Sequence, residues 1–370
     1  MKENKARVIA FYLPQYHPIP ENDKYWGKGF TEWTNVAKAK PLFRGHYQPH
    51  IPADLGFYDL RLPEVREAQA ELARDAGIEG FCYYHYWFGN GKMLLQKPFE
   101  EVLRLGKPDF PFCLCWANHD WTTKTWVKGS SMVNNTMIAQ QEYLGEQDDI
   151  KHFEYCLRAF KDHRYITIEG KPIFLIYDPL SFPNVKEFIN RWNFLAKKNN
   201  LKGIYFIGVT TGRQSSYKIV TNLGFDGVCH NRRWEAEAKA AGFRFVRRMQ
   251  SLLGWHLGIS LMKYDYNKVV RNYDTPENKL ENCYPVITPG FDRTPRAGRR
   301  AGIYVNSSPK NFKKHVAEVC KSIQDKDDDH RLVFLSAWNE WGEGNYMEPD
   351  LKWGHGYLEA LKSVVKFQIK

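Results

Sequence analysis

At 370 residues, 43% of them apolar and 26% charged, the chain has material for one large core or two ordinary ones, under an ordinary charged surface. That balance excludes a disordered or fibrous protein, and no window approaches the apolar length that a membrane-spanning helix needs. The net charge of +11 gathers partly in basic runs at Arg244–Arg248 and Arg296–Arg300. These read as a solvated face, with an anionic glycan or contact with a membrane surface as the other use; no nucleic-acid motif accompanies them.

The first fifteen residues, MKENKARVIAFYLPQ, begin basic, but their apolar stretch is too short for a signal peptide and leads into a core strand at Arg7–Leu13. Seven further short apolar runs follow at Gly80–Trp87, Pro111–Ala117, Pro172–Asp178, Ile204–Val209, Phe225–Asn231, Tyr284–Gly290 and Leu332–Trp338. Between them lie helical patterns at Pro63–Ala76, Phe99–Leu105, Asp148–Asp162, Val185–Asn199, Ser215–Leu223, Arg247–Trp255 with Tyr266–Tyr273, and Pro309–Gln324, with a last one at about Gly356–Phe367. Eight strands alternating with helices predict a single (β/α)8 TIM-type barrel filling 1–370, with an ordered insertion at about 17–62 covering its C-terminal face. A doubly wound sheet is the rival. It demands a glycine-rich phosphate turn after the first strand, and Leu13-Pro14-Gln15-Tyr16-His17-Pro18 is nothing like one. Several of the seven cysteines fall inside apolar runs, as small buried hydrophobes do, so reduced thiols and a cytoplasmic setting are expected.

The polar residues cluster where the apolar runs end. In a barrel those positions share the C-terminal rim, where such enzymes build their sites. Tyr16 and His17 follow the first run, and Glu32 and Trp33 lie in the insertion, with capping or packing as their alternative use. Within Tyr84-His85-Tyr86-Trp87, strand alternation turns half the residues away, and His85 or Trp87 is the expected ligand contact. Trp116, Asn118, His119, Asp120 and Trp121 offer an amide, an imidazole and a carboxylate between indoles, suited to sugar hydroxyls; a rim network is the plainer reading. Asp178, Asn231 and Trp234 continue the rim. Asp292 and Arg296 suggest an ion pair bracing a loop. Last come Trp338, Glu340, Trp341 and Glu343, immediately after the eighth run. Glycoside cleavage uses two carboxyl groups, one protonated and one ionised, and neighbouring carboxylates in a ring-lined cleft separate each other's pKa values. Glu340 and Glu343 are therefore the expected catalytic pair, with no cofactor and no metal, since no HExxH or comparable ligand spacing occurs.

These segments also carry a resemblance. Phe11-Tyr12-Leu13-Pro14-Gln15-Tyr16-His17-Pro18, Gly29-Phe30-Thr31-Glu32-Trp33-Thr34-Asn35-Val36, Gly45-His46-Tyr47-Gln48-Pro49 and Leu55-Gly56-Phe57-Tyr58-Asp59-Leu60-Arg61 resemble the opening of the WbsX-like family of bacterial surface-polysaccharide gene clusters. Through Asn339-Glu340-Trp341-Gly342-Glu343-Gly344 the chain is also similar to glycoside hydrolase family 99, the endo-α-1,2-mannosidases, which are (β/α)8 barrels with metal-free chemistry. The resemblance implies that Glu340 acts as a base on the substrate's own 2-hydroxyl, giving a 1,2-anhydro sugar, while Glu343 is the acid for the leaving group. It places Glu348 at an acidic position that binds or orients. Two rim segments depart from the family pattern. His119 and Asp120 stand where members read Glu-Asn, and Phe291-Asp292-Arg293-Thr294-Pro295-Arg296 has Phe and Arg where Trp and Asn are usual, so the sugar recognised changes first. The expectation is a metal-independent glycoside hydrolase, endo-acting on a bacterial polysaccharide or its precursor. The rivals are a glycosyltransferase or transglycosylase of O-antigen or capsule biosynthesis, and a non-catalytic carbohydrate-binding barrel.

Overall fold

The eight apolar runs close into a parallel barrel. The structure, a computed structural model, describes residues 6–122, 136–210, 216–242, 249 and 262–365. Its barrel strands are β1 (Arg7–Tyr12), β2 (Gly80–Trp87), β3 (Phe112–Trp116), β4 (Lys171–Ile176), β5 (Tyr205–Val209), β6 (Gly227–His230), β7 (Cys283–Ile287) and β8 (Leu332–Leu335). Each pairs in parallel with its neighbours in chain order. β1 closes the ring, Ile9 lying opposite Phe334 on one side and Gly80 on the other. Parallel strands covered on both faces read as unbroken apolar runs, and β3, β7 and β8 are buried at every position.

The outer layer holds α3 (Pro63–Ala76), α4 (Lys97–Leu105), α5 (Glu146–Phe160), α6 (Val185–Lys198), α7 (Tyr217–Asn222), α8 (Arg233–Ala240), α9 (Tyr266–Val270), α10 (Thr294–Ala297), α11 (Pro309–Ser322) and α12 (Gly356–Val365); α1 (Pro20–Trp26) and α2 (Glu32–Lys38) precede them in the insertion. α3 shows why these bounds fall where they do. Pro63 opens it, where a missing N–H costs nothing, and Gly77 ends it in the left-handed region at φ 87°, which a side chain would resist. Its buried Ala70, Ala73 and Ala76 let the helix sit close to the sheet.

Two features differ from the sequence expectation. α8 begins three residues after β6, where the Asn231 side-chain oxygen accepts a hydrogen bond from the Arg233 N–H at 3.2 Å; the rim motif thus opens a helix. Met262–Asp265 and Gly302–Val305 pair in parallel outside the barrel. The insertion packs against the segment after β8, with the Trp33 and Trp341 ring centroids 5.4 Å apart, and is tied internally: Trp33 Nε1 donates to the Tyr58 carbonyl at 2.8 Å, and the Leu60 N–H to the Tyr16 carbonyl at 3.0 Å. The basic run Arg244–Arg248, the segment Thr123–Trp126 and, Met249 excepted, the helix expected at Arg247–Trp255 lie outside the described residues. All seven cysteines are free and buried. No helix among the described residues is long and apolar enough to cross a membrane.

Candidate active site

The strand ends enclose a cavity of about 180 Å³ to which every barrel strand or its following loop contributes, from Phe11 on β1 round to Glu340 and Glu343 after β8. Its lining is tyrosine-rich: Tyr84, Tyr86, Tyr177, Tyr273 and Tyr304. Burial pushes the Tyr177 hydroxyl up to about 12, and it raises the other four as well, so all five stay protonated and able to donate. The Arg233 guanidinium lies over the rings of Trp234 and Phe291, 4.7 and 4.6 Å from their centroids.

The segment carrying the two glutamates is fixed from behind. Asn339 clamps it to the end of β1, its Oδ1 accepting from the Leu13 N–H at 2.8 Å and its Nδ2 donating to the Leu13 carbonyl at 3.1 Å. The Tyr16 hydroxyl donates to the Asn339 carbonyl and accepts from the Trp341 N–H at 3.2 Å, so the backbone is held on both sides of Glu340. Trp341 Nε1 then donates to the buried Glu348 carboxyl at 2.5 Å, which also accepts from Gln69 at 2.6 Å and Tyr58 at 2.9 Å. Burial raises Glu348 to about 7.

A single guanidinium joins three carboxyls in front. Arg296 meets Glu32 at 2.9 Å, Glu343 at 2.7 Å and Glu340 at 2.8 Å. Gly342 makes this approach possible, because a Cβ there would collide with the Glu32 carboxylate and come within 2.9 Å of Arg296 Nε. The two candidate carboxyls do not share one environment. Burial raises Glu340 to about 7, with Glu343 and Glu32 adding to the push and Arg296 opposing it. Burial acts upward on Glu343 too, but Arg296, Arg293 and Arg233 together bring it below the ordinary carboxylate range. At neutral pH Glu343 is ionised and Glu340 shares its proton with solvent.

Of the residues singled out in the sequence, His119, Asn231, Trp234, Glu340 and Glu343 line this cavity. Arg296 reaches it through the glutamates, and it is not part of a solvated basic face. Asp292 and Arg296 have their strong partners apart: Asp292 accepts from His46 at 2.7 Å and Gln48 at 2.8 Å. On β2 the alternation runs opposite to expectation. Tyr84 and Tyr86 face the cavity, while His85 and Trp87 turn outward under α5, where Trp87 stacks on His152 at 4.6 Å. The interior at this level is filled from β1, Phe11 stacking on Tyr84 at 5.5 Å, and this sets the parity.

Other candidates are structural in this arrangement. Trp116 Nε1 donates to the Trp87 carbonyl at 2.8 Å, and Asn118 bridges β3 to β4 through the Asp178 N–H and carbonyl at 2.7 and 2.8 Å. The Asp178 carboxylate accepts from Ser181 at 2.7 Å, and Asp120 accepts from the Gln141 N–H at 2.8 Å. Trp121 stacks on Tyr86 at 5.2 Å, outside the lining. His17 is buried on the Pro14 carbonyl at 3.0 Å and held neutral, its pKa lowered to about 4 by burial. Tyr16, Trp33, Trp338 and Glu348 are buried behind the glutamate segment, Trp341 is buried within it, and Glu32 is buried against Arg296.

The sequence reading set Tyr84, Tyr86, Tyr177 and Arg233 within rim clusters without singling them out as contacts, and it missed Tyr273, Thr288, Tyr304 and Asn345. The parity of β2, which the sequence leaves open, decides the first two. Tyr273 and Tyr304 follow no strand of the barrel and left no signal.

Among the described residues, one group of three side chains is close enough to share a metal ion: His85, His152 and Cys156, all buried. The His85 and His152 Nε2 atoms stand 2.8 Å apart, a hydrogen-bond separation, and burial holds both imidazoles neutral. This group lies on the outer side of β2, away from the cavity.

A family model described as Glycosyltransferase WbsX matches residues 8–361. Two curated relatives, each named uncharacterized protein WxcX, from Xanthomonas campestris pv. campestris strains B100 and ATCC 33913, are 34% identical over 361 residues. That alignment covers 97% of this chain, which spans about half (50%) of the length of those relatives. Among solved structures, a GH99 endo-α-mannosidase from Bacteroides thetaiotaomicron superposes with a TM-score of 0.57 at 16% identity, over 98% of this chain and 97% of the other. A protein described as glycoside hydrolase-like gives a TM-score of 0.59 at 16% identity, over 98% of this chain and 94% of its own. Those similarities concern the fold.

Proposed function

Since the chain belongs to the WbsX family, we propose that it is a carbohydrate-active enzyme, one barrel domain over 1–370, which cleaves a glycosidic bond in a bacterial polysaccharide or its precursor through Glu340 and Glu343. The observation that carries this reading is the pair itself. Two carboxyls open to one tyrosine-lined cavity share Arg296 and are biased toward opposite protonation states. That is the division of labour glycoside cleavage requires.

The charges favour a different assignment from the one the resemblance implies. Glu343 faces three arginines and has no proton to give, so it is the ionised partner, acting on the sugar or on its 2-hydroxyl. Glu340 has one arginine and two carboxylates around it, holds a proton near neutral pH, and is the acid for the leaving oxygen. In the second half-reaction Glu340, now ionised, takes the proton of the incoming hydroxyl. His119, Asn231 and the tyrosine hydroxyls hold the sugar, and Tyr16, Asn339, Trp341 and Glu348 position the glutamates from behind.

A second reading keeps the same groups and transfers the glycosyl unit to another sugar instead of water. The family's description favours it. Adding candidate acceptor glycans and following products by mass separates transfer from hydrolysis. The primary test is turnover of defined bacterial glycans by Glu340→Gln and Glu343→Gln, each expected to lose about 10²–10⁴-fold in rate. Full turnover by both variants removes the pair from the chemistry.

A further inference from the structure

A second cavity, of about 300 Å³, lies across a ridge from the first. Phe291 and Tyr304 line both, so one layer of side chains separates them. The insertion supplies one wall with Phe43, Tyr47 and His50; the segment after β8 supplies Lys352 and Trp353, and Asn306 closes the lip. None of the chemistry above uses it.

We propose that this cavity binds an acidic sugar unit, one bearing a carboxylate or phosphate, of the same glycan whose cleavage site lies over Glu340 and Glu343. The proposal rests on the carbohydrate reading of the first cavity. Three observations carry it. The ring of Trp353 is half-buried at the cavity wall and offers an apolar surface on which a pyranose can pack its C–H bonds, beside Phe43 and Tyr47, which stack on His46 and His50 at 4.5 and 4.6 Å. Two ammonium groups stand at those rings: Lys352 Nζ lies 4.6 Å from the Tyr47 centroid and 4.8 Å from Trp353, and Lys263 Nζ lies 3.5 Å from Phe43. Neighbouring anions are already engaged. Asp292 accepts from His46 at 2.7 Å, Gln48 at 2.8 Å and Thr294 at 2.7 Å, and Asp265 accepts from Asn306 at 2.7 Å. Neither lysine forms an ion pair among the described residues, so a ligand anion would meet cations with no internal competitor.

The test is equilibrium binding to a printed array of bacterial surface glycans containing acidic and neutral chains of matched backbone. Wild type should favour the acidic chains, and added salt should erode the preference, as it does for exposed charges. Trp353→Ala should weaken binding of every long chain roughly tenfold, as loss of a central aromatic anchor does. Lys352→Ala removes an exposed side chain, so its fold is safe; it should abolish the acidic preference and leave neutral chains bound as before. Equal binding of acidic and neutral chains by wild type overturns the proposal, as does wild-type binding by both variants. Binding that is lost only in Tyr86→Ala, within the first cavity, overturns the second site and leaves the carbohydrate reading standing. No binding to any glycan by wild type overturns both.

Discussion

Replacing Arg296 with Met isolates what the shared guanidinium does, because the apolar stem is kept and three charge-assisted contacts of 2.7 to 2.9 Å are lost. Removing one partner of a buried ion pair typically costs about 3–5 kcal/mol. Glu32 is fully buried, but Glu340 and Glu343 are 13% and 21% exposed and Glu343 keeps Arg293 at 3.4 Å, so the lower end, about 3 kcal/mol, is expected. The loss must depend on pH. In wild type Glu343 sits below its unfolded value, so its contribution is present above that value and disappears as pH falls through the folded one. Glu340 and Glu32 already sit above their unfolded values in wild type; without Arg296 all three carboxyls move further up, so the variant is penalised more as pH rises through them. The gap between the two proteins should therefore be widest near pH 8 and shrink toward pH 5. Urea unfolding across that range measures it. A gap under about 1 kcal/mol, or one independent of pH, would refute the argument that Arg296 organises this site.

The assignment of roles has a kinetic signature. If Glu340 is the acid, kcat/KM should fall as pH rises through about 7; a base at that position gives a rise instead. His85→Ala should lower the melting temperature and leave glycan binding intact, whereas Tyr84→Phe should weaken binding with little change in melting temperature. His119→Ala should behave like Tyr84→Phe, and Asp120→Ala, which frees the Gln141 N–H that its carboxylate holds, like His85→Ala. Activity should survive EDTA, because the proposed chemistry runs on two carboxyls; loss restored by Mn²⁺ or Mg²⁺ would favour a sugar-nucleotide transferase.

The barrel was legible because its strands are apolar on both faces and short, while its helices carry their own stops, as Pro63 and Gly77 do. The position of the glutamates followed from that same layout. What strand periodicity could not supply was parity. An aromatic run such as Tyr83-Tyr84-His85-Tyr86-Trp87 is chemically plausible on either face, and the choice rests on Phe11, seventy residues away in sequence, stacking on Tyr84. The partners of Arg296 were equally hidden. Glu32, Glu340 and Glu343 are 264, 44 and 47 residues from it, and only the closed ring brings them together. Polar residues at strand ends looked alike in sequence, yet Asn118 and Asn339 turn out to be braces between neighbouring strands, and Asn231 lines the cavity.

The Asn339 clamp on Leu13 spans 326 residues, so it ties the first strand of the barrel to the segment that follows its last. A nascent chain that has emerged as far as β7 holds most of the cavity wall, with its tyrosines and arginines, but has neither glutamate nor the strand that closes the ring. Until then the edges of β1 and β7 are open and invite pairing with other chains. Competence arrives in one step, when β8 slots between those edges and Asn339 locks onto the first turn of backbone beyond β1. Release of a chain stalled before residue 332 would thus yield a protein with a nearly complete binding wall, neither of the two proposed catalytic carboxyls, and two exposed strand edges.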